Sequence, residues 1–269
     1  MQSADELLAA YDAQVRARVP ARLPVGVEVT RDGPLVRFAG PAGGGFVVYR
    51  DLDGLEGAEL DALIERQVRM FSERGERFEW KHHGHDLPAD LPDRLRAAGF
   101  VAEESETIVI GRAADVGGEP EPPEGVSLRE TTERADLERI EELEREVWQE
   151  DGPGRIADML EGELDADADG LAVVLAEARE KLVSAAWIRF EHGTEFATLW
   201  GGATLAEWRR QGIYRALVAY RAGLAVERGF RFLEVDASDD SRPILERLGF
   251  VPTAVTTPFV WSPAARIDP

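Results

Sequence analysis

Thr204-Leu205-Ala206-Glu207-Trp208-Arg209-Arg210-Gln211-Gly212-Ile213-Tyr214-Arg215 joins an extended run, residues 196–204, to a periodic one. In the periodic run Ile213, Leu217, Tyr220 and Leu224 recur at helical spacing until Gly229 stops it. A strand that becomes a helix through such a turn leaves several backbone amides without partners at the helix start, and the helix dipole adds partial positive charge at the same point. That combination suits an anion. Gly212 lets a phosphate come close to the backbone, and Arg209, Arg210 and Arg215 can add charge-assisted contacts. Taken alone, the same residues also describe an ordinary helix start with solvated arginines, so the flanking sequence has to decide.

Downstream, residues 232–236 read as a buried strand, 242–248 as a short helix closing on Leu248-Gly249-Phe250, and 255–261 as a further strand. Upstream, strands are expected at 126–129, 171–175, 182–190 and 196–204. Leu137, Ile140, Leu143 and Val147 mark one amphipathic helix, and residues 156–164 a second. Arg209-x-x-Gly212 in this setting resembles the GNAT superfamily of acyl-CoA-dependent acyltransferases, over residues 126–261 and most strongly over 199–250. The family motif is Gln/Arg-x-x-Gly-x-Gly/Ala. Arg209, Gly212 and Tyr214 fall on its defined positions, with tyrosine where a small residue is usual, so that side chain must point away from a pyrophosphate.

The resemblance implies acetyl-CoA as acyl donor. Gly202, Ala203 and Thr204 would pair with its pantetheine arm as an added strand would. Arg209 and the backbone of Arg210, Gln211, Gly212, Ile213, Tyr214 and Arg215 would hold its pyrophosphate. Strand 232–236 would splay away to admit the thioester. Glu234 stands where some members place a carboxylate base, and Asp236 shares its face at period two. The tyrosine that usually protonates the departing thiolate is replaced by Leu245, which leaves Tyr214, another hydroxyl or water. Asp239 replaces the asparagine that often precedes the short helix, with Ser238 and Ser241 as further caps or cofactor contacts. For the acceptor, Asp151 and Glu150, with Trp187 and Trp200 on strands, offer charge and cation-π contact to an amine; a solvated loop and two core tryptophans account for the same residues somewhat better.

The other half repeats parts of this pattern. Gly75 and Phe78 match Gly229 and Phe232 in spacing, and Leu95 to Val101 matches Leu245 to Val251, which implies a degenerate internal duplication. Trp80 then replaces Glu234 and His82 replaces Asp236. The segment before the helix near Ala58 has no Arg-x-x-Gly turn and carries Asp51, Asp53 and Glu56 where a pyrophosphate would sit. The fold class expected is α/β (α+β): two GNAT-like domains, each a mixed, mostly antiparallel sheet flanked by helices. The divisions expected are 1–116 for a degenerate, non-catalytic domain, 117–125 for a Pro/Gly linker, and 126–269 for the acyltransferase domain.

Composition bounds the rest. The 269 residues contain no cysteine, which excludes disulfides, thiolate metal sites and an acyl-enzyme thioester. A formal net charge of −21 disfavours nucleic acid and anionic membrane as partners and suits a cationic small molecule or a peptide N-terminus. No apolar run is long enough to span a membrane and Met1 opens a polar stretch, so a cytoplasmic location is expected, as monomer or homodimer. No metal is expected. Asp165 to Gly170 imitates a calcium loop but has Ala176 where a bidentate glutamate is required, and His83 and His85 make only two ligands, with His82 facing the other way. The function expected is N-acetyl transfer from acetyl-CoA to an amine; the alternative is a catalytically silent acyl-CoA-binding or interaction protein.

Overall fold

The structure is a computed structural model and describes residues 2–40, 44–116, 118–149 and 155–263. The chain forms two compact units, one from the described residues within 1–19, 26–108 and 253–269, the other from 20–25 and 109–252.

The first unit opens with α1 (Ala4–Gln14), started by a reciprocal cap in which the Glu6 amide donates to Ser3 Oγ at 3.2 Å and the Ser3 amide donates to Glu6 Oε2 at 2.9 Å. β1 (Glu28–Asp32), β2 (Leu35–Ala39) and β3 (Gly45–Val48) form an antiparallel meander. α2 (Gly57–Arg74) buries Leu60, Leu63, Ile64, Gln67 and Phe71, and ends at Gly75, whose φ of 69° suits a residue without Cβ. β4 (Phe78–His83) runs parallel to β3, and α3 (Leu91–Ala97), β5 (Val101–Ala102) and β6 (Glu106–Arg112) follow. Aromatic rings dominate this core. Phe71 stacks on Phe78 with centroids 4.1 Å apart, and Phe78 meets Phe100 edge-on at 5.1 Å; each such buried ring contributes roughly 2–3 kcal/mol through the area it removes from water. Asp86 fastens α1 to this unit by accepting from Arg16 Nη2 and from the Tyr49 hydroxyl, both at 2.6 Å, and from the His83 amide at 2.8 Å. Burial lowers the His83 imidazole to about 2, so it is neutral at any working pH. Among the described residues no group of three His, Cys, Asp or Glu side chains could hold a metal ion.

The second unit follows with α4 (Ala113–Val116), β7 (Val126–Thr131), α5 (Arg134–Trp148) and α6 (Ile156–Ala166). Next come β8 (Leu171–Ala178), β9 (Lys181–Phe190), β10 (Phe196–Thr204), α7 (Ile213–Glu227), β11 (Phe232–Ala237) and α8 (Arg242–Arg247). β7, β8, β9 and β10 are antiparallel neighbours, and β11 joins β10 in parallel. α5 is tied to the sheet through Asp136, which accepts from Arg129 Nη1 and Thr131 Oγ1, both at 2.7 Å, and from Arg139 Nη1 at 2.8 Å.

β12 (Val251–Trp261) departs from the division expected at the linker. It pairs antiparallel with β4 from Thr256↔His83 to Trp261↔Phe78, and with β5, so most of it completes the first unit although it follows the second in sequence. Strand exchange of this kind is fixed by long-range pairing, which a Pro/Gly linker does not report. The repeat is visible in register. In the first unit Gly45, Phe46 and Val47 pair with Phe78, Glu79 and Trp80; in the second Phe196, Ala197 and Thr198 pair with Phe232, Leu233 and Glu234. Trp80 thus holds in one parallel pair the position that Glu234 holds in the other. Among the described residues no helix is long and apolar enough to cross a membrane.

Candidate active site

β10 is a strand whose second half has lost a neighbour. It pairs with β11 only over residues 196–198 and then runs on to Thr204, while against β9 its register shifts between Gly201 and Ala203. Two glycines make that bulge. Gly201 has φ 70° and a Cβ there would lie 2.5 Å from the Trp187 ring; Gly202 has φ 100° and its Cβ would meet the Tyr214 ring at 2.9 Å. Only glycine fits both the backbone and the crowding. Beyond the bulge Ser184 steadies the strand, its Oγ donating to the Ala203 carbonyl at 2.7 Å and sharing a 2.8 Å hydrogen bond with Thr204 Oγ1.

The segment between β10 and α7 is held by its own side chains. Arg209 Nε donates to the Thr204 carbonyl at 2.9 Å and Gln211 Nε2 to the Glu207 carbonyl at 2.8 Å, folding the turn over a single 3-10 turn at Ala206–Trp208. Arg210 has φ 62°, a left-handed conformation that disfavours a side chain, and Gly212 follows with φ 94°. Gly212 caps α7 with no side-chain hydrogen bond, and among the described residues the amides of Arg210 to Arg215 have no recorded protein acceptor. These amides, with the exposed Arg210, Gln211 and Arg215, could hold an anion. Ile213 is buried and can offer only its amide, and nothing lies within 4 Å of a Cβ built on Gly212.

A family model described as "Acetyltransferase (GNAT) family" matches residues 135–250. Over those residues the chain is similar to the GNAT acetyltransferases. A GCN5-related N-acetyltransferase from Kribbella flavida shares the fold with TM-score 0.65 at 18% identity, over 99% of this chain and 98% of that one. A functionally unknown conserved protein from Staphylococcus epidermidis ATCC 12228 gives TM-score 0.64 at 15% identity, over 89% and 95%. A tandem GNAT protein from the clavulanic acid biosynthesis pathway gives 0.61 at 16%, over 95% and 92%. At such identities the likeness is one of fold. No curated protein matches the chain in sequence.

Within the matched segment, Glu234 lies on β11 opposite Thr198 and is only 3% exposed, deeper than a partly wetted cleft would leave it; Asp236, two residues on, is half-buried. The Tyr214 ring packs on Gly202, and burial raises its pKa above the usual tyrosine value, so the phenol keeps its proton. Leu245 is 0% exposed in the core beneath α8. Asp239 is exposed and among the described residues reaches Arg242, at 3.7 Å, while the amide of Ser241 donates to Ser238 Oγ at 3.3 Å. Ser241, not Asp239, is the N-cap residue of the short helix, and its side chain makes no capping hydrogen bond.

The two tryptophans separate. Trp187 is 5% exposed in the core between the sheet and α5, which removes it from any surface that an amine could reach. Trp200 is 39% exposed, but Arg189, paired to Glu163 at 2.7 and 2.8 Å, already lies over its ring at 4.7 Å. That side of the indole carries a cation of the protein's own. Glu150 and Asp151 lie outside the described residues.

Sequence reasoning passed over Arg221. It is 1% exposed on α7, and its Nη1 donates to the carbonyls of both Trp187 and Trp200 at 3.0 Å, while Nε donates to the Leu217 carbonyl at 3.0 Å. Burial lowers its pKa to about 10. The signal was present: Arg221 lies four residues after Leu217, on the apolar stripe of a strongly periodic helix.

Proposed function

We propose that the protein is an N-acetyltransferase that moves an acetyl group from acetyl-CoA directly to an amine of a small molecule or a peptide N-terminus. The observation that carries this reading is the row of unengaged amides from Arg210 to Arg215, set beside the half of β10 that β11 does not cover. A diphosphate fits the first and an extended amide-bearing arm fits the second. The pantetheine arm would lie along Gly202, Ala203 and Thr204, which places its sulfur end toward Glu234, Asp236 and Tyr214.

Acyl transfer to an amine requires a neutral nucleophile, a hydrogen-bond donor for the carbonyl oxygen as it gains charge, and a proton for the departing thiolate. Glu234 is assigned to the first task, with half-buried Asp236 as the carboxylate that passes the ammonium proton to solvent. Tyr214 is assigned to the third, since its protonated phenol lies beside the unpaired stretch of β10. The net charge of −21 favours a cationic acceptor over an anionic one.

A second reading is favoured by Leu245, an apolar core residue where the usual acid would stand: a silent acyl-CoA-binding protein. Calorimetry with acetyl-CoA, followed by thiol release over polyamines, aminoglycosides, amino acids and peptide N-termini, separates the two. Heat of binding with thiol release from some amine supports the enzyme. Binding with no release from any amine supports the silent protein, and absence of binding removes both.

A further inference from the structure

Arg221 is a buried cation that makes no recorded ion pair among the described residues, and its donors go to main-chain carbonyls. Enclosing such a charge costs several kcal/mol on general grounds. The surrounding stripe of α7 is Leu217, Val218, Ala222 and Ala225, so a leucine would fill the same space without that penalty. What the guanidinium does is grip one place in the sheet. Trp187 and Trp200 are Cα partners across β9 and β10, and the register slips immediately after them, at Gly201.

A trans peptide points its C=O and N–H in opposite directions. The Trp200 carbonyl held with the Trp187 carbonyl by one nitrogen of Arg221 is therefore held at the β9 side of the strand. The amide hydrogen of Gly201, in the same peptide plane, then faces the other edge, where the ladder to β11 has ended three residues earlier, at Thr198. Gly201 is exposed although it is mid-strand. Gly201, with positive φ and no Cβ, restrains that plane less than another residue would. Tyr214 lies near enough to Arg221 for each to shift the other's protonation.

We propose that Arg221 is a positioning residue: by clamping the Trp200 carbonyl it aims the Gly201 amide into the open edge of β10, as the donor that meets the acyl carbonyl oxygen when charge develops there. This rests on the acetyltransferase reading for its chemistry, and on the backbone geometry alone for the orientation of the amide.

The test uses the full chain carrying Arg221→Met or Arg221→Lys, with acetyl-CoA as ligand and whichever amine the wild-type protein accepts. Arg221→Met is expected to lower kcat ~100-fold, the range found when one oxyanion donor is lost, with acetyl-CoA affinity within about threefold. Arg221→Lys, whose ammonium can still reach a carbonyl, is expected to recover about tenfold of that loss. The Gly201 amide, followed by nitrogen-edited NMR and hydrogen exchange, is expected to shift in Arg221→Met and to return toward its wild-type position in Arg221→Lys. An unchanged kcat in folded Arg221→Met, parallel loss of affinity and kcat in both variants, or an unmoved Gly201 amide overturns the proposal. Where Arg221→Met does not fold, the Lys variant decides by the same readouts. Should the wild-type protein bind acetyl-CoA and transfer nothing, the acetyltransferase reading fails, and the Gly201 signal still decides whether Arg221 sets the peptide.

Discussion

Arg210 and Gly212, on either side of Gln211, hold left-handed backbone, and the amides from Arg210 to Arg215 have no recorded acceptor among the described residues. A Cβ on Gly212 would meet nothing within 4 Å, so Gly212→Ala tests the backbone rather than a clash. The left-handed region disfavours alanine by ~1–2 kcal/mol, and relaxation of the turn is expected to weaken acetyl-CoA about tenfold by calorimetry. Glu234→Gln keeps the shape of a side chain that is already enclosed. It is expected to lower thiol release ~100-fold or more while acetyl-CoA affinity changes by less than threefold, the pattern for loss of a proton acceptor; equal turnover in the variant would move the task to Asp236. At this scale the sequence was legible where a residue type is dictated locally. A glycine at a helix start and a leucine in place of a hydroxyl can be read directly. Trp187 could not be sorted from Trp200, because one lies in the core and the other at its edge although they are partners on adjacent strands, and Arg221 reads as surface charge until its helical face is considered.

Asp136 joins α5 to β7 through Arg129 and Thr131, and Glu177 on β8 shares Arg129 with it through Arg129 Nε at 2.8 Å. The hydrogen bond from Arg129 is the leading cause that holds the Asp136 carboxyl below the ordinary range. A folded-state pKa lower than the unfolded one stabilises at pH values above the unfolded pKa, and that contribution disappears as pH falls through the folded value. In the first unit Asp32, lowered to about 2 chiefly by Arg66, acts in the same direction. Thermal midpoints are therefore expected to be level from neutrality to about pH 5 and to fall progressively below about pH 4. Asp136→Asn is expected to lower the midpoint by several degrees at pH 7, from a loss of ~2 kcal/mol, and to flatten the acid limb; an acid limb as steep as in the wild-type protein would show that other carboxylates set it. Elements were the most legible level. Helical periodicity placed α2, α5 and α7, and apolar runs bounded by turn signals at Glu180-Lys181 and His192-Gly193 placed β8, β9 and β10. The bulge at Gly201 and Gly202 was read as plain strand, since a register shift exists only between two strands.

The two units follow strand pairing, not the linker. Sequence order suggested 1–116 and 126–269, yet β12 lies against β4 and β5, with Phe259 opposite Trp80 in the aromatic core of the first unit. A chain stopped after Pro252 lacks that strand. It is expected to lose hydrogen-exchange protection in residues 60–83 while residues 196–237 stay protected, as followed by mass spectrometry of the exchanged protein; full protection of 60–83 would mean that β12 is dispensable. The duplication was legible from matched Gly-Phe segments because a helix cap followed by a buried strand constrains residue types at both places. Which strand completes which sheet was not, because pairing partners more than 150 residues apart leave no local mark.

β12 also sets an order of events during synthesis. A ribosome delivers residues 109–252 before most of β12, so the second unit has its strands in hand while the first unit still presents an open β4 edge carrying Phe78 and Trp80. The half translated first finishes second. Until residues 253–261 emerge, that waiting edge is the surface a chaperone would have to shield.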